Sequence, residues 1–440
     1  MEQDVSQSVV QVPEEKPASG RSYKKWVLFI GVPVVLILLV LGLLANNHRK
    51  QERQRSYSTN QTQQQRPGSF FSPQKNNLTG AEMEGMQLSN GNCVGTEKRK
   101  LTTLPMKMED FSMIIPYGLM VGDHVSPIDH QYFSPTIFHS PRDTYEVRAM
   151  ADSLLVDIQP RIKPGYTEYR MVFSISCKLF YYYDLVTSLS PNIKKEFEQY
   201  KSGMRRVPLS IPVKAGQVIG RIGGQTLDFA VWDMDVKLKG YVVPEHYQME
   251  SWKIHTVDPL DYYTDGLKKQ ALSKYIRTVP PVSGKIDYDI DGRLIGNWFA
   301  VGTSGYEGIR PNNNPEGYSH SHFAIAPDHI DPTAYIISFG DYGGEFWQFI
   351  LDKNAPDPAI VDVKTGLVKY DLLSFSYKKE NGEKWDGMSF AQNLKLERHR
   401  SNGCALLQMQ SGRTVKIETF PNITCQSISG FTQKAKLYER

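Results

Sequence analysis

Residues 211–233 read IPVKAGQVIGRIGGQTLDFAVWD and carry the clearest structural signal in the 440-residue chain. Gly216 lies between two short apolar runs, and glycine supplies the backbone freedom that a tight turn between strands needs. The run after this turn, 217–222, and the next one, 226–232, have the length and composition of strands. The stretch therefore predicts a hairpin followed by a further strand.

The last of these strands divides its side chains between two faces. Successive residues of a strand point to opposite sides, so Leu227, Phe229 and Val231 share one face. Thr226 and Asp228 then point to the other face. The polar pair on this second face is the candidate for chemistry.

Three earlier segments complete the pattern. GDHVSPIDHQYFSP at 122–135 contains two histidines and two aspartates, and YEVRAMADSLLVDIQ at 145–159 predicts a strand pair. A tyrosine-rich strand then ends in FYYYDLVTSLSP at 180–191. The order is a histidine–aspartate loop, a hairpin, a tyrosine-rich strand, a second hairpin and a final strand.

In this order the segments resemble the M23 family of lysostaphin-like zinc metallopeptidases, whose domains contain the duplicated hybrid motif. IPVKAGQVIGRIGG is a close match to the family's V-K-x-G-Q-x-I-G hairpin, and the resemblance covers roughly residues 115–235. Biotinyl and lipoyl hammerhead domains carry a similar hairpin, so the ordered set is the stronger signal. The resemblance implies an antiparallel β-barrel or sandwich that binds zinc through a His-x-x-x-Asp segment and a later His-x-His segment.

The sequence departs from this family at the site itself. His124 and Asp129 fall on the first ligand segment, but four residues separate them where the family has three. The later His-x-His falls on Thr226, Leu227 and Asp228. Asp228 therefore stands where the family has a ligand histidine, and Thr226 where it has a catalytic histidine. The remaining family histidine falls near Asp184.

The resemblance implies His124, Asp129 and Asp228 as candidate ligands for zinc or another divalent metal, with His130 as a candidate fourth. One imidazole and two carboxylates form an oxygen-rich set, which is less selective for zinc than two histidines and one carboxylate. Peptide hydrolysis also needs a general base near the metal-bound water, and Thr226 cannot take that role. A hydrolytic metal site, a weak or structural one, and a polar loop without metal all stay open. The sequence favours the polar loop.

A second group of histidines lies much later in the chain. His320 and His322 are two residues apart, so they would share a face of a strand and could bind one metal ion. His329 follows, but no cysteine lies nearby and the only close carboxylates are Asp328 and Asp331. The sequence favours surface or loop histidines here.

One segment predicts a membrane anchor. Residues 26–45 contain no charged side chain, and a helix of 20 residues spans about 30 Å, the thickness of a bilayer core. The run is longer than the apolar core of a signal peptide, and the polar segment 1–25 precedes it. The Gln-, Asn- and Ser-rich stretch that follows predicts a flexible linker over 46–99.

The charges that flank the predicted span leave open on which side of the membrane the rest of the chain lies. Positive residues flank the predicted span on both sides in nearly equal number, so they do not fix its orientation. The four cysteines are even in number, and Cys404 and Cys425 lie in neighbouring strand-like runs where a disulfide is plausible. We therefore expect an extracytoplasmic body.

The composition and net charge exclude some classes of protein for the rest of the chain. Hydrophobic residues make up 40%, which excludes bulk disorder, and a net charge of +4 is too mild for a dedicated nucleic-acid binder. Short apolar runs broken by glycine and proline predict two β-rich domains, the M23-like one over 100–260 and a second over 261–440. Helices are predicted only at 190–201 and 265–276. The predicted fold class is mainly β, with an N-terminal transmembrane helix.

These observations predict a single-pass membrane protein with a degenerate, non-catalytic M23-like domain outside the cytoplasm. The expected role is binding or scaffolding at the cell envelope, with an envelope glycan, a peptidoglycan-like material or a protein as partner. The alternative is an active metal-dependent endopeptidase with a rearranged ligand set. A third reading is a metal-free spacer or assembly module.

Overall fold

The computed structural model describes residues 78–203, 208–309 and 315–440. The predicted polar segment 1–25 and transmembrane helix 26–45 lie outside these ranges. Within them, no helix combines the length and the apolar character needed to cross a membrane. The described residues from Leu78 onward belong to one compact unit. The predicted domain boundary at residue 260 stays a prediction.

The first part of the described chain forms two antiparallel sheets. Its strands are β1 (Phe111–Ile115), β2 (Gln131–Pro135), β3 (Tyr145–Arg148), β4 (Ser153–Lys163), β5 (Tyr166–Ser174), β6 (Leu179–Val186), β7 (Ser188–Leu189), β8 (Ile211–Val213), β9 (Val218–Ile222), β10 (Leu227–Asp233) and β11 (Thr256–Val257). The larger sheet has the order β1-β2-β10-β6-β5-β4-β8, and β11 pairs with β10. The smaller sheet has the order β3-β9-β7. The mainly β fold class is confirmed.

The turn predicted at Gly216 is present, but it is not a hairpin turn. Gly216 has a φ of +78°, and the Gln217 N–H donates to the Lys214 carbonyl at 2.9 Å. The two flanking strands enter different sheets, because β8 pairs with β4 whereas β9 pairs with β3. The predicted pair at 145–159 divides in the same way. Both segments are corners between sheets, so the hairpin predictions were wrong.

Strand β10 lies in the interior of the larger sheet and separates two apolar cores. Leu227, Phe229 and Val231 lie in one core, which confirms the face predicted from their spacing. Ala230 and Trp232 lie in the core on the opposite side. Asp228 belongs to this second side, and it is also buried.

The second part of the chain forms a closed antiparallel barrel. Its strands are β12 (Gly296–Ala300), β13 (His322–Pro327), β14 (Tyr335–Tyr342), β15 (Glu345–Leu351), β16 (Val368–Lys378), β17 (Lys395–Ser411), β18 (Thr414–Pro421) and β19 (Lys436–Glu439). β19 pairs with β12 and closes the barrel, which leaves no open edge. This confirms the β-rich character predicted for the C-terminal part.

An arm of the barrel packs against the larger sheet. The arm consists of the end of β16, which carries Tyr377, and the chain between β16 and β17, which carries Trp385 and Leu394. These three side chains share an apolar cluster with Met113 of β1 and other residues of the first part. The barrel and the larger sheet are therefore joined by a common apolar core.

The described residues also contain three α-helices. They are α1 (Gly80–Leu88), α2 (Pro191–Lys201) and α3 (Asp265–Leu272). α2 confirms the helix predicted at 190–201. α3 is shorter than predicted, because the chain after it runs beside β1. There the Ile114 N–H donates to the Lys274 carbonyl, and the Ile276 N–H donates to the Ile114 carbonyl.

Two disulfides tie the described chain together. The sequence left the cysteine pairing open; in the structure Cys404 is bonded to Cys425, and Cys93–Cys177 links the segment after α1 to the turn between β5 and β6. Residues 80–93 lie inside the stretch predicted as a flexible linker. They differ from that prediction, since they form a capped helix and a covalent link that the polar composition does not reveal.

Candidate functional site

The strand that carries Asp228 lies beside the segment that carries the other predicted ligands. Asp228 is opposite Tyr132 of β2 on one side and opposite Asp184 of β6 on the other. β2 begins directly after the loop that holds His124 and Asp129. Sheet register therefore brings the predicted residues into one region of the second face of β10.

His130 connects the two predicted carboxylate ligands. Its Nδ1 lies 3.4 Å from Asp129 Oδ1, and its Nε2 lies 3.4 Å from Asp228 Oδ2. The same Nε2 lies 3.1 Å from the hydroxyl of Tyr132. Each ring nitrogen of His130 thus contacts one of the two carboxylates.

A lysine from a distant part of the chain completes the arrangement. Lys253 belongs to the segment Pro244–His255, which consists of 3-10 turns. Its Nζ lies 3.1 Å from Asp129 Oδ1 and 3.7 Å from Glu250 Oε2, and its side chain is 2% exposed. The ammonium also lies 4.7 Å from the ring centroid of Tyr306. We call Asp129, His130, Asp228, Glu250 and Lys253 the ion cluster.

The ion cluster changes the proton affinities of its members. Burial acts to raise the pKa of the Asp129 carboxyl, but the Lys253 ammonium and His130 outweigh it and hold that pKa far below its usual range. Burial raises the pKa of Asp228 to about 7. For His130, burial acts to lower the imidazole pKa, yet the Asp228 and Asp129 carboxylates raise it above its ordinary value. His130 and Asp228 are therefore held by their mutual attraction.

His124 lies next to the cluster but does not join it through an ion pair. Its ring centroid is 5.8 Å from that of His130. Burial lowers the pKa of the His124 imidazole to about 4, and the neighbouring His130 acts in the same direction. At neutral pH His124 is an uncharged ring packed against the cluster.

Among the described residues, no group of three histidine, cysteine, aspartate or glutamate side chains is placed to hold a metal ion. Asp129 Oδ2 and Asp228 Oδ1 are buried without a hydrogen-bond partner, but His130 lies between the carboxylates and Lys253 supplies a positive charge beside Asp129. The ligand role of His124, Asp129 and Asp228 stays a prediction.

The residue considered as a substitute general base is also engaged. Asp184 forms an ion pair with the Arg161 guanidinium, and its Oδ1 accepts the Leu185 N–H at 2.8 Å. Both oxygens of the Asp184 carboxylate therefore already have partners.

Aromatic side chains close the second face of the sheet around the cluster. The Arg170 guanidinium lies 4.5 Å from the ring centroid of Trp252, 5.0 Å from that of Tyr182 and 5.6 Å from that of Trp232. Trp252 belongs to the same segment as Lys253. The segment Pro244–His255 thus packs over the second face of the larger sheet at the ion cluster.

The second histidine group does not form a site either. The His320 Nδ1 lies 2.9 Å from the Gly340 carbonyl, whereas the His322 Nε2 lies 3.0 Å from the Tyr306 carbonyl. β13 begins only at His322, so strand alternation does not apply to His320. His322 lies in β13 and is 1% exposed, so the surface-or-loop prediction was wrong for it, whereas His329 lies in the loop between β13 and β14, although it is buried.

Sequence reasoning missed Lys253 and Glu250. The run PEHYQMESWKIH, which contains both, has no motif and no metal-ligand spacing. Only the path of this segment across the sheet brings them to Asp129. A lone lysine among aromatic residues carries no sequence signal for such a contact.

Comparison with known proteins yields only distant likenesses. No family model and no curated protein matches the chain. Similar solved structures include Helicobacter pylori Csd3 in its orthorhombic crystal, at 18% identity and a TM-score of 0.23, covering 38% of this chain and 35% of Csd3. The match thus spans about a third of the length of Csd3.

Two further structures show a similar degree of likeness. The SpoIIQ–SpoIIIAH pore-forming complex matches at 11% identity and a TM-score of 0.22, covering 38% of this chain and 92% of the other. The solution structure of lysostaphin matches at 11% identity and a TM-score of 0.23, covering 78% of this chain and 92% of lysostaphin. TM-scores this far below 0.5 do not establish a shared fold, so the site is interpreted from its own geometry.

Proposed function

We propose that the chain is a membrane-anchored, extracytoplasmic protein whose degenerate M23-like domain does not hydrolyse peptides and instead binds or scaffolds material at the cell envelope. One observation carries the non-catalytic part. The Lys253 ammonium and the His130 imidazole interact with the carboxylates that a catalytic metal would need.

The charge balance of the ion cluster supports this proposal. A peptidase zinc site keeps an open coordination position, where the metal activates a water molecule. Here Lys253 is 2% exposed and gives Asp129 a cationic partner at 3.1 Å. Asp228 has His130 as its partner. Both carboxylates therefore already have a lysine or histidine partner, which supports the non-catalytic proposal.

The cysteines support the location outside the cytoplasm. All four are paired in two disulfides, Cys93–Cys177 and Cys404–Cys425. Disulfides persist in oxidising compartments and are rare in the cytosol. The membrane anchor itself rests on the apolar run at 26–45. An envelope glycan, a peptidoglycan-like material or a protein is the proposed partner, as the family resemblance implies.

The test uses the full chain purified in detergent. Elemental analysis should find no stoichiometric divalent metal, incubation with cross-linked peptidoglycan should release no fragments, and insoluble envelope polysaccharide should retain the protein. Asp265→Asn, on the exposed start of α3, serves as a matched charge control for the binding assay. Failure to bind every envelope fraction would remove the binding role.

The alternative is an active metal-dependent endopeptidase with a rearranged ligand set. The observation in its favour is that Asp129 Oδ2 and Asp228 Oδ1 have no hydrogen-bond partner in the described part of the chain. Stoichiometric metal that is lost in Asp228→Ala, together with metal-dependent cleavage by the unmodified chain, would establish this alternative and overturn the proposal.

A further inference from the structure

Lys253 and Asp129 form a buried pair of an amine and a carboxyl group. Their side chains are 2% and 9% exposed, and the Nζ of Lys253 lies 3.1 Å from Oδ1 of Asp129. A carbon–oxygen bond is about 1.2 Å long, so the Cγ carbon of Asp129 lies at most about 4.3 Å from the amine nitrogen. A movement of about 1 Å therefore suffices to reach the separation of about 3–3.5 Å from which two atoms react.

A second carboxyl group lies beside the same amine. The Oε2 of Glu250 is 3.7 Å from the Nζ of Lys253. Both residues belong to the segment Pro244–His255, so the chain itself holds this carboxylate next to the amine. A carboxylate in this position can take a proton from the nitrogen and pass it on to a second group.

One oxygen of the Asp129 carboxylate has no partner. Oδ1 contacts Lys253 and lies 3.4 Å from the Nδ1 of His130. Oδ2 is buried and makes no hydrogen bond to the described residues. Buried polar atoms are nearly always hydrogen-bonded, and an unsatisfied one costs free energy. A reaction that removes Oδ2 would remove this cost, and the observation is independent of the distances to Lys253.

Burial also disfavours the charged state of the pair. Two charges that leave water lose solvation, and their mutual attraction only partly compensates for that loss. Condensation of an ammonium with a carboxylate to an amide removes both charges together. Two groups held in contact also have an effective concentration of up to about 10⁵–10⁸ M. Burial and proximity therefore both favour an amide at this position.

We propose that the side chains of Lys253 and Asp129 condense to an amide, with Glu250 as the proton carrier. The Nζ nitrogen forms a bond to Cγ, and the bond between Cγ and Oδ2 breaks. Glu250 takes two protons in turn from Nζ and passes them to Oδ2, which departs as water. Oδ1 becomes the amide oxygen and keeps its contact with His130. One ammonium and one carboxylate thus give one amide and one water, without any further reactant.

The bond would link two parts of the chain that lie more than a hundred residues apart. It would join the loop before β2 to the segment Pro244–His255 and fix this segment over the second face of the larger sheet. Unlike the two disulfides, the link would resist reducing agents. The inference goes beyond the proposed function, since it requires neither a metal nor a partner at the envelope.

The experiment measures the mass of the full chain, purified in detergent with its disulfides reduced. We expect a mass lower than that of the sequence by one water molecule. After digestion with trypsin, the peptide with Asp129 should be joined to the peptide with Lys253, and the chain should stay uncut after this acylated lysine. A succinimide at an Asp-Gly pair such as Asp265–Gly266 also loses water, but it joins no peptides.

The matched variants are Lys253→Arg, Glu250→Gln and Glu245→Gln. Arginine keeps a positive charge beside Asp129 but stays protonated, so it forms no amide. Glutamine at 250 cannot carry the proton. We expect complete loss of the joined peptide in both of these variants. Glu245→Gln, at an exposed glutamate of the same segment, should keep it.

The full sequence mass and two separate peptides in the unmodified chain would overturn the proposal, and this result does not depend on the folding of any variant. As much joined peptide in Glu250→Gln as in Glu245→Gln would also overturn it, since Glu250 would then carry no proton. A linked chain that fails to bind envelope material would contradict the proposed function alone. An unlinked chain that binds this material would contradict the amide alone.

Discussion

Lys253 is the residue that most distinguishes this site from a metal centre. A buried ammonium costs free energy unless it is paired, and Lys253 finds Asp129 at 3.1 Å and Glu250 at 3.7 Å. The Lys253 ammonium and the Asp129 carboxylate therefore each offset the cost of burying the other. Removing one of the two charges should lower the free energy of unfolding.

We predict that Lys253→Met lowers the free energy of unfolding by about 3–5 kcal/mol, because Asp129 is then buried without its cation. Methionine retains most of the volume of the side chain, so lost packing contributes little. Urea unfolding measures the change. Lys237→Met, a 62% exposed lysine paired with Glu84, should cost less than about 1 kcal/mol. Equal stability of the two variants would contradict the role assigned to Lys253.

His322 predicts how stability depends on pH. Burial lowers the pKa of its imidazole to about 3, against 6.5 for an exposed histidine. Below pH 6.5 the His322 imidazole therefore binds a proton in the unfolded chain, whereas in the folded chain it stays unprotonated until the pH falls to about 3. Through this window His322 should reduce the free energy of unfolding by up to about 1.4 kcal/mol per pH unit as the pH falls.

The measurement compares urea unfolding of the unmodified chain and His322→Gln at pH 7, 5.5 and 4.5. Glutamine retains an N–H donor for the Tyr306 carbonyl but does not titrate. We expect a shallower loss of stability with acid in this variant. His399→Gln, at an exposed histidine, is the control and should follow the unmodified chain. Parallel pH curves for all three proteins would contradict the prediction.

At the scale of elements, the decisive feature is the way strands meet at corners. β9 lies between β3 and β7, and it follows the Gly216 turn directly. Gly220 of β9 lies so close to the neighbouring backbone that a Cβ atom there would be 2.5 Å from the Ser188 carbonyl oxygen and 2.7 Å from Val186 Cγ1. The glycine lets β7 and the end of β6 lie close to β9.

We predict that Gly220→Ala lowers the free energy of unfolding by about 1–3 kcal/mol, because the added methyl group displaces the backbone of β7. Gly266→Ala is the matched control, since the same methyl group in α3 meets no atom within 4 Å. It should be neutral or stabilise by up to about 1 kcal/mol, because alanine is the better helix former. Thermal and urea unfolding of both variants check this, and a neutral Gly220→Ala would contradict it.

At the scale of the whole molecule, the barrel and the larger sheet share apolar surface. Trp385, from the chain between β16 and β17, is 7% exposed and lies in the cluster that includes Met113 and Ile128. Its indole N–H donates to the Ser389 carbonyl at 2.8 Å. The contact makes the stability of each part depend on the other.

We predict that Trp385→Ala lowers the free energy of unfolding by about 3–5 kcal/mol. In the unmodified chain, the part from Leu78 onward should unfold in a single transition. In the variant, the barrel and the larger sheet should unfold in two separate transitions. Fluorescence and circular dichroism followed together in urea distinguish these outcomes. Phe390→Ala, at a 43% exposed side chain, should change stability by less than about 1 kcal/mol. Coincident transitions in Trp385→Ala, at unchanged stability, would contradict the coupling.

The local patterns in the sequence were predictive where the cause was local. Alternation placed Leu227, Phe229 and Val231 in one core, and glycine at 216 marked a real turn. The helix at 191–201 also follows from a short-range signal. Each depends on a few neighbouring residues, so no knowledge of the rest of the fold is needed.

The sequence alone thus determined the β character and the turn at Gly216, and the family resemblance implied that Asp228 lies beside the loop of His124 and Asp129. The tertiary structure decided that the flanking strands enter different sheets, that the barrel closes, and that Lys253 reaches Asp129 from more than a hundred residues away along the chain. The reason is physical. Whether a buried carboxylate contacts a metal, an imidazole or an ammonium depends on which distant segment covers it, and the periodicity of the sequence does not specify that segment.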